Sequence, residues 1–199
     1  MSRLNAARER SDAKLKYAGI HLDELQVRRV LCGSQVGNWE RAHQESFLYH
    51  LVGVRDALLQ EINIAHACGL KPREVDVRDL SIKLMRLGRQ SRGLRTLVHL
   101  EGMKSSWISI ARRQRNHFTH RGDLPRHFHK GGREDGNVYV TDPLADQLKK
   151  RNPKRLEGFE RTIVKASETD CLQLFAKWCE KAERLIENLR SKMLGVRNG

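Results

Sequence analysis

Apolar residues recur at intervals of three and four along most of this chain, and this spacing predicts α-helices rather than strands. The clearest repeats predict helices over about residues 40–68 and 94–120, and a closing helix over about 168–193. Weaker repeats predict a first helix over about 5–31 and a third that starts at Val77 and ends near Gly88. We therefore predict an all-α fold, a four- to five-helix up-and-down bundle.

The helical repeat is lost between residues 123 and 166. Glycines at 131, 132 and 136 and a proline at 143 surround Val138 to Thr141, a run typical of a strand. We predict an irregular insertion here, with a short β-hairpin and a short helix near residues 144–150, before the last helix. Residues 1–38 are predicted to form an N-terminal helix and loop. The whole of 1–199 is predicted to be a single domain, because this length supports one hydrophobic core.

The chain carries a large excess of positive charge. Its formal net charge is +14 at pH 7, and 31% of its residues are charged. Such an excess favours a polyanionic partner, for which nucleic acid is the natural candidate. The alternative is a set of solvated basic helix faces that bind no ligand.

Cysteine usage and hydropathy favour a cytoplasmic protein. The four cysteines include no Cys-x-x-Cys pair, and Cys171 and Cys179 share one helical stripe, which is typical of core positions rather than of disulfides. The N-terminus begins with charged residues, and no stretch of about 18 apolar residues occurs. We predict a protein that is neither secreted nor membrane-spanning.

One segment, 115–120, combines residue types suited to cleaving RNA without a metal. It has the sequence RNHFTH and stands at the end of the fourth predicted helix, where Gly122 and Pro125 stop the repeat. Arg115 is permanently charged and can bind a phosphate with two donors, whereas His120 can accept or donate a proton near neutral pH. The segment is therefore a candidate site for phosphodiester chemistry.

The spacing within this segment gives one supporting relation and one difficulty. Asn116 lies four residues before His120, so the two side chains share a helix face and Asn116 can orient the imidazole. Arg115 lies about 140° around a regular helix from His120, so one helix cannot easily direct both at one phosphate. Either the helix loosens near Gly122, or a second copy of the chain completes the site across a two-fold axis. The pair at positions 112 and 117, which has a similar spacing, is the alternative assignment.

Arg115, Asn116 and His120 carry a resemblance to a known family. An Arg followed by Asn, with a His after four intervening residues, at the end of a helix in a small basic helical chain, resembles the HEPN superfamily, which includes many RNases. The segment 60–63, QEIN, is similar to part of the second helix of some bacterial HEPN proteins and offers Glu61 and Asn63 as supporting polar residues. The resemblance covers residues 40–122 and the last helix. The segment 125–165 has no counterpart in the family.

The resemblance implies a helical bundle that forms a homodimer with both motifs in the interface cleft, and that cleaves RNA without a metal or other cofactor. His120 would remove the proton from a ribose 2′-OH, Arg115 would neutralise charge on the phosphate oxygens, and Asn116 would orient His120 or the phosphate. The products would be a 2′,3′-cyclic phosphate and a 5′-OH. Because the family often acts in toxin–antitoxin pairs or in phage defence, a neutralising antitoxin or a defence-complex subunit is an implied partner.

Basic residues near the motif are candidates for holding the RNA backbone. Contacts of this kind bind the sugar-phosphate chain without reading its sequence. The candidate RNA-binding residues are Lys104, Arg112, Arg113, His117 and Arg121.

A non-enzymatic module is the competing interpretation. In it, a HEPN-like or unrelated helical protein binds RNA or another subunit through its basic surface, and the motif is structural. Helix-turn-helix DNA binding is weaker, because no compact helix pair of the usual size is evident. No metal site is predicted, because no cysteine or carboxylate stands at zinc-ligand spacing near His127 and His129. Phosphate-loop, dinucleotide and Gly-x-Ser-x-Gly motifs are absent from the sequence.

Overall fold

Eight α-helices and two short strands make up the described part of this computed structural model, namely residues 2–32, 38–121, 126–128, 138–140, 142–151, 158–167 and 169–194. The all-α class predicted from the apolar repeat is confirmed. No helix within these ranges is both long and apolar enough to cross a membrane. The helices are α1 (Arg3–Cys32), α2 (Asn38–Ala65), α3 (Val77–Arg86), α4 (Arg92–Gly102), α5 (Trp107–Arg121), α6 (Pro143–Arg151), α7 (Gly158–Ser167) and α8 (Cys171–Leu194).

The long helices α1 and α2 lie antiparallel and form the largest helix pair described. Ser11 near the start of α1 contacts Glu61 near the end of α2, and His21 later in α1 contacts His43 near the start of α2. Helix α8 packs against α1, α2 and α4, and α5 packs against α2. Burying each large apolar side chain contributes about 1.5–3 kcal/mol. The largest fully buried side chains include Phe47, Leu48, Leu51, Leu58, Leu59, Ile62, Leu80, Leu97, Ile108, Phe175 and Trp178.

The turn after α2 is held by Asn63, one of the two supporting polar residues named from the sequence. The amide of Asn63 donates to the carbonyl of Leu70 at 2.9 Å and accepts from its backbone N–H at 3.1 Å. Gly69 lies between them with φ of +72°, a conformation that glycine adopts without steric cost. Asn63 therefore holds the turn that reverses the chain after α2.

The fourth predicted helix, over residues 94–120, is wrong as a single element. The chain forms α4 and α5 instead, separated at residues 103–106. Ser106 caps α5, because its hydroxyl oxygen accepts from the backbone N–H of Ser109 at 3.2 Å while the hydroxyl donates to the carbonyl of Leu100. Gly102 stands at the break, where its freedom weakens a continuous helix. The apolar stripe continues across the break, so periodicity alone did not reveal it.

The predicted insertion contains more helix than expected. Strands β1 (Arg126–Phe128) and β2 (Val138–Val140) pair antiparallel, with His127 opposite Tyr139. Helix α6 includes the short helix predicted near residues 144–150, whereas α7 was not predicted. The turn residues expected between the strands, and Gly122 and Pro125 after α5, lie outside the described residues.

An ion pair with a fully buried carboxylate joins three helices. Glu61 on α2 is fully buried, and its carboxylate accepts from Arg190 on α8 at 3.1 and 3.2 Å and from the hydroxyl of Ser11 on α1. Burial by itself lowers the pKa of Arg190, but hydrogen bonds to Glu61 and to Asp12 outweigh that effect and raise it. Arg190 also donates to the carbonyl of Arg8 at 2.9 Å. These contacts satisfy a charge pair that would otherwise be costly to bury.

We predict that Glu61→Ala lowers the free energy of unfolding by about 3 kcal/mol, because it removes the buried carboxylate that pairs with Arg190 and leaves that arginine with only the exposed carboxylate of Asp12. The control is Asp12→Ala, which removes the exposed partner of the same arginine and should cost about 1 kcal/mol or less. Urea titrations of both variants give the comparison. Equal, small losses for both would contradict a structural role for Glu61.

Candidate active site

Helix α5 places the motif at the edge of the core. Trp107, Ile108, Ala111 and Phe118 are buried along one side of α5, which packs against α2. Arg115 stands beside this buried stripe and is half-buried, which keeps its charged end near solvent. The motif thus begins where the core meets the surface.

The guanidinium of Arg115 is held by its neighbour. Its Nε and Nη2 donate to the Oδ1 atom of Asn116 at 3.3 and 3.1 Å. Asn116 is otherwise exposed, and its amide nitrogen donates no hydrogen bond to any residue that the structure describes. Among the residues that the structure describes, no carboxylate forms an ion pair with Arg115. Its charge is therefore available to an anion.

Arg115 lines a cleft between α1, α2 and α5 with a volume of about 450 Å³. Arg10 and Lys14 bring two more positive charges to its walls, and Asp56 brings one negative charge. That carboxylate already lies 2.7 Å from the guanidinium of Arg55, so positive charge dominates the cleft. The other lining residues are Ala13, Tyr17, Tyr49, Gly53, Ala57 and Gln60.

Helix α5 continues without interruption through Arg121, so it does not loosen between Arg115 and His120. Positions 115 and 120 therefore lie about 140° apart around the helix axis. The side chain of His120, and with it the expected contact to Asn116, lies outside the described residues. His117, in the same stretch, is half-buried.

Two of the candidate RNA-binding arginines are already paired with acids. Arg112 donates to Glu101 at 2.8 Å, and Arg113 makes a two-pronged contact with the buried carboxylate of Asp142, the closest distance being 2.8 Å. Lys104 is exposed, and its carbonyl accepts from Arg113. The side chain of Arg121 lies outside the described residues. Because acidic side chains already neutralise Arg112 and Arg113, these two arginines are weaker candidates for binding a phosphate than the sequence suggested.

The cleft residues of α1 were not predicted from the sequence. Arg10, Lys14 and Tyr17 follow one another at four- and three-residue steps, so they share one face of a helix. That spacing was a usable signal for a basic stripe. Its position beside Arg115 depends on packing between segments about 100 residues apart, which no local pattern records.

The two supporting polar residues, Glu61 and Asn63, make structural contacts. Their described hydrogen bonds run to Arg190 and Ser11 and to Leu70. None of these bonds reaches the motif. Gln60, which lies next to Glu61, lines the cleft instead.

Gln114 is a buried polar residue immediately before the motif. Its side chain is fully buried, and neither its amide oxygen nor its nitrogen has a hydrogen-bond partner among the described residues. An unsatisfied buried amide costs about 1–3 kcal/mol. Most buried polar side chains in native proteins have a partner, so Gln114 is an exception within the described part of the chain.

The described residues contain no group of three or more His, Cys, Asp or Glu that could hold a metal ion. No protein-family model, curated protein or solved structure matches the chain. The HEPN resemblance therefore rests on Arg115, Asn116 and His120, together with the helical class of the fold.

We predict that Gln114→Leu raises the midpoint of thermal unfolding by about 2–4 °C for each kcal/mol recovered, because it removes an unsatisfied amide at nearly constant volume. Gln44→Leu is the matched control. Gln44 is also fully buried, but its amide donates to Glu40 at 3.2 Å, so its replacement should destabilise the protein. Differential scanning calorimetry measures both shifts. A lower midpoint for Gln114→Leu would show that the Gln114 amide is not an unsatisfied, destabilising group.

Proposed function

We propose that this protein is a HEPN-type endoribonuclease that cleaves RNA without a metal ion. The observation that carries the proposal is the Arg115 guanidinium, which lines a basic cleft, is held by Asn116 and has no acidic partner in the described part of the chain. Arg10 and Lys14 supply further charge for the phosphates on either side. His120 follows on the same helix and supplies the group that can exchange a proton.

The proposed reaction is an attack of the ribose 2′-oxygen on the adjacent phosphorus. His120 removes the proton from the 2′-OH, the new O–P bond forms, and the bond to the 5′-oxygen breaks as that oxygen takes up a proton from water. Arg115 stabilises the negative charge that builds on the phosphate oxygens. Asn116 positions the guanidinium, and its amide nitrogen would be a second donor for the phosphate. The products are a 2′,3′-cyclic phosphate and a 5′-OH.

A homodimer accounts for the geometry of α5. Because positions 115 and 120 lie about 140° apart on a regular helix, one chain cannot easily direct both at the same phosphate. In a two-fold dimer, Arg115 of one copy and His120 of the other face the same cleft, and the symmetry produces two such sites.

A nuclease of this kind must be controlled inside the cell that makes it. We place the protein in the cytoplasm, where RNA is its substrate, and infer a neutralising partner such as an antitoxin or a subunit of a defence complex. This partner would block the cleft around Arg115.

We predict that the purified protein cuts mixed cellular RNA in excess EDTA and leaves 2′,3′-cyclic phosphate ends. Arg115→Lys keeps the charge but loses the planar two-donor group, so the rate should fall by about tenfold or more. His120→Ala should lower the rate at least about 100-fold, since general base catalysis typically contributes that much. Sequencing of product ends and gel-based rates give the readout.

The matched control is His117→Ala, which removes the other histidine of the same helix and should have a much milder effect. Loss of cleavage in His117→Ala with retention in His120→Ala would move the working pair to Arg112 and His117. Binding of RNA without any cleavage by the wild type would favour the non-enzymatic module instead.

A second prediction tests whether two copies share each site. The protein should have about twice the 23.0 kDa chain mass in solution scattering. Arg115→Ala and His120→Ala should each be inactive alone, but a mixture allowed to exchange subunits should regain about one quarter of wild-type activity. Half of its dimers are mixed, and each mixed dimer holds one intact site of two. An inactive mixture in which mixed dimers are demonstrated would rule out the shared site.

A further inference from the structure

A continuous row of rings runs along the α1–α2 pair. Both helices contribute rings, so the row exists only because α1 and α2 lie antiparallel in this register. We call it the ring row. It consists, in spatial order, of Trp39, His43, His21, His50 and the pair Tyr17 and Tyr49, with neighbouring centroids 3.8, 5.0 and 5.5 Å apart and His50 at 5.2 and 5.4 Å from the two tyrosines.

The tyrosines of the ring row are open to solvent. Tyr17 is 49% exposed and Tyr49 is 57% exposed, although both flank the same ring of His50. A single exposed aromatic residue needs no explanation. Two half-exposed tyrosines that pack on the same histidine ring, joined to a row of further rings, form a surface on which flat groups can stack.

Cations stand at both ends of the ring row. The Lys14 ammonium lies 4.7 Å from the centroid of Tyr49, and the Arg28 guanidinium lies 4.7 Å from that of Trp39. Gly53 permits the first contact, because a Cβ at that position would lie only 3.1 Å from the Cδ atom of Lys14. Positive charge therefore accompanies the exposed rings along the surface.

The pKa values of two histidines in the middle of the row, His21 and His50, are lowered, which favours their neutral forms. Burial lowers the pKa of His50, and Lys14 and His21 lower it further. Burial and the neighbouring His43 also lower the pKa of His21. Neutral imidazoles can stack with other flat rings without adding repulsion inside the row.

The ring row leads directly into the basic cleft. Tyr17, Tyr49 and Lys14 line the same 450 Å³ cleft as Arg115. A chain of alternating flat and anionic groups laid along the row would thus arrive at the guanidinium of the motif.

We propose that the ring row binds single-stranded RNA, with bases stacked on Tyr17 and Tyr49 and the backbone held by Lys14 on its way to Arg115. This inference rests on the proposed function, because the RNA bound by the ring row would be the RNA that is cleaved at Arg115. Aromatic side chains beside a positive groove are the usual platform for single strands, because every base has a face that can stack. A duplex hides those faces inside its own stack, so the row selects unpaired RNA.

The test uses the full chain and a fluorescein-labelled 12-nucleotide RNA with 2′-O-methyl groups, which cannot be cleaved by 2′-oxygen attack. Fluorescence anisotropy compares the wild type with Tyr17→Ala/Tyr49→Ala and with Tyr17→Phe/Tyr49→Phe. We expect the alanine pair to bind the single strand at least about 25-fold more weakly, since each lost stack costs about fivefold or more. The phenylalanine pair keeps both rings and should stay within about twofold of the wild type.

Two controls separate stacking from general damage. Met85→Ala changes an exposed apolar residue on α3, away from the row, and should leave binding unchanged. A duplex of the same sequence should bind the wild type and the alanine pair equally. An unchanged affinity of the alanine pair for the single strand overturns the proposal, as does an equal loss in the alanine and phenylalanine pairs. Failure of the wild type to bind the strand overturns it too, and leaves the row to a protein partner.

Cleavage assays on unmodified RNA distinguish failure of this inference from failure of the proposed function. If the wild type cuts RNA and the alanine pair cuts it with the same KM, the ring row is not the RNA path although the nuclease assignment stands. If the wild type binds single strands through its tyrosines but cuts nothing, the ring row stands and the nuclease assignment fails.

Discussion

The buried contact between Glu61 and Arg190 is the constraint on which the rest of this structure depends. A carboxylate with no exposure to water must keep its positive partner and its hydrogen bonds, because losing either leaves a charge unsatisfied in the interior. Ser11 supplies one of those bonds from α1. Apolar packing alone would tolerate some sliding between helices, whereas this directional contact sets the register of α1 against α2 and α8.

The surface features follow from that register. With Ser11 opposite Glu61, later positions of α1 meet earlier positions of α2, so His21 comes to His43 and Lys14 crosses Gly53. The ring row and the basic cleft are both products of this pairing. The contact between Glu61 and Arg190 thus positions the surface that is proposed to bind RNA. Neither of these two side chains needs to touch the RNA itself.

Much of the fold was predictable, because an amphipathic helix requires apolar residues at regular intervals of three and four along the sequence. The apolar stripes of α2, α3 and α8 determined their existence and nearly their ends. The separation of α4 from α5 was not predicted, since the apolar stripe continues through it. It depends instead on hydroxyl groups such as that of Ser106, which reaches back to Leu100 and replaces helical hydrogen bonds. Helix α7 was not predicted, because the glycines and the proline of the segment 123–166 led to its interpretation as an irregular insertion.

The sequence by itself determined which chemical groups are present at the candidate site. Arg115, Asn116 and His120 are recognisable by type and spacing, and the net charge of +14 is the reason for predicting an anionic partner. Only the tertiary structure decided which charges are available. Arg112 and Arg113 are bound by acids 11 and 29 residues away, whereas the cleft beside Arg115 is completed by α1. Local spacing sets the face on which a side chain stands, but neutralisation of its charge depends on partners that only folding brings near.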